Sequence, residues 1–556
     1  MKNSTKTLAG LALALPLVGC NKQEQKPNIV FFLVDDMGWL DSSVAFGEEV
    51  YPLNLRYHTP NMERLAERST LLTHTYVSPV SSPTRTTLMT GMHSAHSRIT
   101  DFTTAFPGIP SDASHKPEKL ANDVLIHPEW NYNGISPTAG VPHTVQATPM
   151  VQLLKDDGYY TIHVGKGHWA AAGTPAASPY NLGFCVNVAG QVAGKPTSYY
   201  GEENYGNTKD KWSVFSTMNL TEYYGTDTHL TEALTLEALK TLDYPIKNGM
   251  PFYLYMAHHA VHTPITPDPR FVQRYLDEGC DQGQANFASL VEGMDKSLGD
   301  IMDYLEAKGI ADNTIIIFMS DNGGNSENTS KGGVVHTQNA PLREGKASCY
   351  EGGIRVPMMV CWPNRIAPKT RINTPVTAED IFPTILEMAG VKNYKTIQEV
   401  DGKSLVRLLT DGSHVVEKAM KAGEITDRKS ANAFVIDESV SGIDPQREIV
   451  SHFPHQWKPY PLEDIDYLTS MRKGDWKIVY RHRTQALELY NLAEDLSERN
   501  DLAAAEPEKL RELAALLSDK LRGWNASMPR FRSTGEYIPY PDELAGKQET
   551  TKNNIL

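Results

Sequence analysis

Residues 28–36 read NIVFFLVDD, Asn28 and then six apolar side chains followed by Asp35 and Asp36. An unbroken run of branched and aromatic residues of this length predicts a strand buried on both faces, the kind found inside a parallel sheet. The pattern returns at 159–164 (YYTIHV), 252–256 (FYLYM) and 314–319 (TIIIFM). Helical stretches lie between these runs. Thr59-Pro60 and Thr148-Pro149 open two of them, with Thr as N-cap and Pro at the first helical position. Gly158 stops the second, and apolar periodicity around Phe287–Leu305 predicts another. The alternation predicts an α/β fold with a large, mostly parallel mixed sheet flanked by helices.

Each strand is followed by a polar cluster. Asp35-Asp36 follow the first, Gly165-Lys166-Gly167-His168 the second, His258 to His262 the third, and Ser320-Asp321-Asn322-Gly323 the last. Open parallel sheets bind ligands beyond the carboxyl ends of their strands, so the four clusters point to one site. Asp35, Asp36, Asp321 and Asn322 supply oxygen donors only. That set suits a hard cation taking six to eight oxygens at about 2.3–2.6 Å. Taken singly, an Asp-Asp or Asp-Asn-Gly stretch is an ordinary turn.

Residues 81–91 read SSPTRTTLMTG. By itself Ser81 is a helix N-cap. Its setting resembles the modification motif of type I sulfatases, Cys or Ser-x-Pro-x-Arg followed by a helix ending in Thr-Gly. The resemblance runs from Pro27 to about Tyr490. It includes PNIVFFLVDDMGW at 27–39, GKGHW at 165–169, Ala260-Val261-His262-Thr263-Pro264, SDNGG at 320–324 and LREGKASCYEGGIRVP at 342–357. On these residues the chain is identified as a serine-type member of the formylglycine-dependent sulfatases, in the alkaline phosphatase-like superfamily.

The resemblance implies that Ser81 is oxidised to formylglycine (3-oxoalanine), and that an anaerobic-type, radical-based maturing enzyme does so because a serine stands there. It implies Ca2+ on Asp35, Asp36, Asp321 and Asn322 beside Ser81, with Mg2+ a less flexible fit to the same ligands. Arg85 would hold the hydrated aldehyde, Lys166 and Lys346 the sulfate oxygens. His168 would serve the nucleophile, and His262 would protonate the leaving alcohol. The chemistry gives each role a reason. A serine hydroxyl is a poor nucleophile without an activating base or metal. A hydrated aldehyde carries two hydroxyls on one carbon: one attacks sulfur, and the other expels sulfate by collapse to the aldehyde. Cations are required because charge moves onto the leaving oxygen as the S–O bond breaks. Gly352-Gly353 reads as a tightly packed turn. His452, Pro454, His455 and Trp457 are candidates for sugar contact, with a surface loop the alternative.

The start of the chain, MKNSTKTLAGLALALPLVGC, has Lys2 and Lys6, then an apolar run from Leu8 to Val18 that is too short to cross a bilayer. Leu17-Val18-Gly19-Cys20 resembles a lipoprotein cleavage box, so residues 1–19 are expected to be removed and Cys20 lipidated. The alternative is a cleaved, unanchored secretory protein. Residues 20–440 are expected to form the catalytic domain. Residues 441–556 form a smaller α+β subdomain, with paired antiparallel strands at 472–480 and 486–492, a helix over 507–524, and a tail from Met528 that wraps the surface.

The 53 Lys+Arg against 67 Asp+Glu give a net charge of −14 with no basic block, which argues against a nucleic-acid partner. Cys185, Cys280, Cys349 and Cys361 lack metal-ligand spacing, leaving disulfides or buried thiols open. The expected function is exo-hydrolysis of a sulfate ester on a carbohydrate such as a mucin O-glycan, glycosaminoglycan or algal polysaccharide. Its place would be the periplasm, outer membrane or cell surface, with membrane contact only through the lipid anchor. Phosphate or phosphonate monoester hydrolysis is the enzymatic alternative, and an inactive glycan-binding lipoprotein the non-catalytic one.

Overall fold

The computed structural model describes residues 25–104, 123–210, 213–458 and 462–545. The signal segment and Cys20 lie outside the described residues. An eight-stranded sheet forms the centre, in the order Thr370–Ile372, Thr70–Leu72, Met358–Cys361, Thr314–Ser320, Asn28–Val34, Phe252–Ala257, Tyr160–Gly165, Val186–Val188. Met358–Cys361 runs antiparallel to both neighbours. The remaining pairs are parallel.

The unbroken apolar run at 29–34 now has its physical cause. Ile29, Phe31 and Leu33 enter one core, packed with helices Met150–Asp156 and Ile381–Met388. Val30, Phe32 and Val34 enter the other, packed with helices Leu230–Lys247 and Gln282–Ala307. Both faces need apolar side chains, so the period-2 alternation of a half-exposed strand is lost.

Register positions the site. Val34 pairs with Ser320, Leu33 with Ala257, and Ala257 with Gly165. Four adjacent parallel strands therefore end at one level, and the polar clusters that follow them meet there.

Two helix starts differ from expectation. Thr59 precedes Pro60 at the first helical position, yet its side chain makes no cap. Its hydroxyl instead accepts from the Ser43 amide at 2.9 Å. The second helix begins at Met150 with Pro149 as the extended N-cap residue, and the Thr148 hydroxyl accepts from the Ile397 amide at 3.1 Å. In both cases a partner distant in sequence takes the oxygen that a local cap would use. The long helix Gln282–Ala307 carries a full capping box, with Asp281 and Gln284 each accepting the other's backbone N–H.

The second sheet is antiparallel: Glu448–Phe453, Leu468–Lys473, Trp476–Arg481 and Ala486–Asn491. The strand expected across 472–480 is in fact two, turned at Gly474, whose φ of 58° suits glycine. Helix Pro507–Gly523 packs Leu510, Leu513, Leu517 and Leu521 against Met471, Ile478 and Leu489. Beyond it the tail does more than wrap, because Arg530–Phe531 pairs with Leu125–Ile126. A buried ionic group ties this sheet to the catalytic part: Lys477 Nζ stands 3.0 Å from Glu351 and 2.7 Å from Glu498. Among the described residues the four cysteines Cys185, Cys280, Cys349 and Cys361 are free thiols, with Cys349 and Cys361 buried.

Candidate active site

Helix Ser81–Thr90 is buried along its whole length and begins where Val80 leaves extended backbone. Ser81 and Arg85, four residues apart, share one face and both meet the strand-end clusters. Neighbouring side chains on a strand point to opposite faces. Asp35 and Asp36 escape that rule because Asp36 adopts φ 60°, in the left-handed region, just past the strand. Both carboxylates thereby enter the crevice.

Ser81 Oγ lies 3.1 Å from Asp35 Oδ1 and 3.0 Å from Asn322 Oδ1, and it accepts from Lys166 Nζ at 3.1 Å. Lys166 also donates to Asp35 Oδ2 at 2.7 Å. Lys346 donates to both oxygens of Asp36, at 2.7 and 2.9 Å. Asn322 Nδ2 donates to Asp36 Oδ1 at 2.9 Å, which turns its carbonyl oxygen toward Ser81. Arg85 Nε donates to Asp321 Oδ2 at 2.8 Å, and the Asp36 amide donates to Asp321 Oδ1 at 3.2 Å. His262 Nε2 stands 3.6 Å from Asp36 Oδ2, while its Nδ1 side meets the Thr263 carbonyl at 2.9 Å.

Asp35, Asp36 and Asp321 thus face Arg85, Lys166 and Lys346 in a buried crevice. Burial raises the Asp35 carboxyl, with Lys166 opposing it and Asp321 and Asp36 adding to it. Burial also acts on Asp36, but His262, Lys346 and Lys166 outweigh it and hold that carboxyl low. Burial lowers the Lys166 ammonium against the pull of Asp35, whereas Asp36 and Asp35 overcome burial and raise Lys346. Burial takes the His262 ring down to about 3, with Asp36 opposing the shift and Lys346 and Lys166 adding to it. His168 is pushed well below its ordinary range by burial, with Lys166 and Arg85 adding to it.

The donor set fits a hard cation. Ser81 has a single hydroxyl proton for two acceptor oxygens about it, and the ligand atoms of Asp35, Asp36 and His262 lie within 4.8 Å of one another. Asp321 and Asn322 join this group through Asp36. Their remaining lone pairs leave oxygen donors in place.

Above Ser81 opens a cavity of about 460 Å³, lined also by Lys166, His168, His262 and Lys346. The structure therefore brings all ten sequence-derived site residues into one crevice, with some roles redistributed. Lys166, rather than Arg85, touches the Ser81 hydroxyl. Arg85 is engaged by Asp321 and the Lys166 carbonyl. His168 Nε2 meets the Thr103 carbonyl at 2.9 Å, and its Nδ1 has no partner among the described residues. Of the C-terminal candidates, Trp457 lines the cavity. His452 is held by Thr469 and the Ser527 carbonyl, and His455 by Thr100. Sequence reasoning missed Phe102, Lys195, Phe215, Glu327 and Lys458 in the wall. They come from irregular segments whose only signal is an aromatic or charged residue in a loop.

Gly352 and Gly353 lie in the short helix Glu351–Ile354 and not in a turn, but they pack as tightly as expected. A Cβ on Gly353 would stand 2.1 Å from the Ser348 carbonyl oxygen and 2.4 Å from that of Gly345, flanking Lys346. Gly353→Ala is expected to lower stability by about 1–3 kcal/mol and to reduce turnover by shifting Lys346. Urea unfolding alongside the rate of ester hydrolysis checks both effects.

A serine-bearing helix N-terminus set beside acids and lysines at the carboxyl ends of a mostly parallel sheet defines a hydrolase of the alkaline phosphatase-like class. The Sulfatase family model matches residues 27–391. The chain belongs to the sulfatase family and is a sulfuric ester hydrolase. A sulfatase of Formosa agariphila is 28% identical over 610 residues, covering 99% of each chain. An N-acetylgalactosamine-6-O-sulfatase of Bacteroides thetaiotaomicron is 27% identical over 568 residues, covering 93% of this chain and 99% of that one. Among solved structures, Ps i-CgsB in complex with k-i-k-neocarrahexaose superposes with a TM-score of 0.64 at 22% identity, over 95% of this chain and 98% of that one. At that identity the match bears on the fold.

Proposed function

We propose that the enzyme removes a sulfate ester from the end of a carbohydrate chain, using hydrated formylglycine made from Ser81. The observation that carries this reading is the placement of Ser81 Oγ between Asp35, Asn322 and Lys166 at the buried end of the cavity. A relative named for N-acetylgalactosamine 6-O-sulfate and a neighbour solved with a carrahexaose support a sugar substrate. Because Ser81 lies at the buried end, a protruding terminal residue reaches it and a mid-chain residue does not, which favours exo action.

The steps follow from the groups present. Oxidation of the Ser81 hydroxymethyl carbon by a radical maturase gives the aldehyde, which water hydrates. One hydroxyl gives its proton to Asp35, which already accepts from the Ser81 hydroxyl, and attacks sulfur, while Lys166 and Lys346 offset charge on the sulfate oxygens. The S–O bond to the sugar breaks, and the leaving oxygen takes a proton at His262, whose ring the incoming anion favours in charged form. The second hydroxyl then loses its proton, and collapse to the aldehyde releases sulfate. Ca2+ held by Asp35, Asp36, Asp321 and Asn322 would supply positive charge that acidifies the hydrate and neutralises sulfate oxygens. The leader at residues 1–19 and the Cys20 that follows it support export and lipid anchoring, in the periplasm, at the outer membrane or at the cell surface.

Side-by-side rates on an aryl sulfate and an aryl phosphate test the reaction class, followed by sulfate release from defined sulfated mono- and disaccharides. A strong phosphate preference would overturn the reading. Metal removal gives a second readout. Dialysis against a chelator is expected to abolish turnover and to lower the unfolding free energy by about 2.7 kcal/mol relative to enzyme in calcium at 100 times its Kd. Both are expected to return when calcium is restored, as followed by thermal unfolding.

A further inference from the structure

Resting on the sulfatase reading above, we propose that Lys195 recognises a second anionic group, a carboxylate or another sulfate, on the sugar whose ester enters the cavity. Four lysines line the cavity: Lys166, Lys195, Lys346 and Lys458. Three are neutralised. Lys166 pairs with Asp35 and Lys346 with Asp36. Lys458 stands 2.5 Å from Glu327, which also accepts from the Trp457 indole. Lys195 has no carboxylate partner among the described residues, and its Nζ rests 5.8 Å from the centre of the Phe215 ring. An unpaired ammonium in the wall of an anion-binding cavity, on a chain of net charge −14, is a local feature and not a general excess of positive charge.

The position of Lys195 is held on both sides. The preceding residue, Gly194, packs on the ring of His168, where a Cβ would stand 2.6 Å from Cε1. The His168 amide donates to the Gln191 carbonyl at 3.2 Å, so the turn that carries Lys195 is clamped to a residue of the reacting end. On the other side the Thr197 amide donates to the Phe215 carbonyl at 3.1 Å, and Gln191 Nε2 donates to the Ser216 carbonyl at 2.9 Å. With its backbone held at both points, Lys195 offers its charge from the wall of the cavity that Ser81 also lines. That geometry selects among substituents on the same sugar.

The test compares kcat/KM for matured, calcium-loaded full-length enzyme on matched saccharides. Each pair shares one sulfate position, with or without a second sulfate or a uronate carboxylate. 4-Methylumbelliferyl sulfate, which carries no second anion, is the reference. The parent enzyme is expected to favour the doubly charged member of at least one pair by roughly tenfold, and rising salt should shrink the preference. Lys195→Ala should erase it through KM while keeping the parent rate on the aryl ester, and Lys195→Arg should retain it. No preference in the parent for any pair, a preference unchanged in Lys195→Ala, or an equal loss on every substrate including the aryl ester would each overturn the proposal. Failure of the parent on the aryl ester and every saccharide would overturn the sulfatase reading itself, and the proposal with it.

Discussion

Ser81→Ala releases sulfate from no ester at a rate above background, a loss on the order of 10⁴–10⁶-fold, while the protein remains folded. The hydroxyl removed is the precursor of the nucleophile, and Ser81 is the one serine among the described residues that line the cavity. The stability cost is small, about 1 kcal/mol, because the Lys166–Asp35 and Lys346–Asp36 pairs survive the substitution. Sulfate release and thermal unfolding measured on one preparation separate the two effects. Retained turnover would mean that the nucleophile lies elsewhere.

Lys346→Met is expected to lower kcat/KM by about 10²–10³-fold and, unlike the serine variant, to depress the unfolding midpoint. Lys346 makes two hydrogen bonds to Asp36, a carboxylate with no exposure to solvent. Taking away one member of a buried pair leaves an uncompensated charge, which costs roughly 3–5 kcal/mol. Methionine keeps most of the side-chain volume, so the change tests charge more than packing. A normal rate with a lowered midpoint would make Lys346 a structural counter-ion and not a sulfate ligand.

The strands that build the site were the most legible part of the chain. Asn28–Val34 and Thr314–Ser320 are long, apolar and buried on both faces, which leaves little ambiguity in pattern. The short strands at Thr70–Leu72, Met358–Cys361 and Val186–Val188 escaped notice, because three or four residues carry too little periodicity to separate from a loop. The hairpin at Gly474 was missed because the strand before it, Leu468–Lys473, mixes polar and charged side chains with few apolar ones and was not separated from the strand that follows. The two threonine caps were misread because competition from Ser43 and Ile397 is tertiary and leaves no local trace.

Within the site, residue types at strand ends carried the chemistry, and Ser81 and Arg85 were linked by resemblance to the sulfatase modification motif. Which cation touches the serine was not readable. That depends on the register of Gly165 with Ala257 and on the turn at Asp36. The sugar-facing wall was least legible of all. Lys195 and Phe215 belong to a stretch without regular structure, and only the fold brings them beside His168.

The modification of Ser81 is open to direct measurement, by mass spectrometry of the peptide spanning residue 81 from enzyme co-expressed with a radical-type maturase. The peptide is expected to be lighter than its unmodified form by two hydrogen atoms, in a fraction that scales with sulfate-releasing activity across preparations. Full activity in a preparation whose Ser81 is entirely unmodified would contradict the formylglycine mechanism.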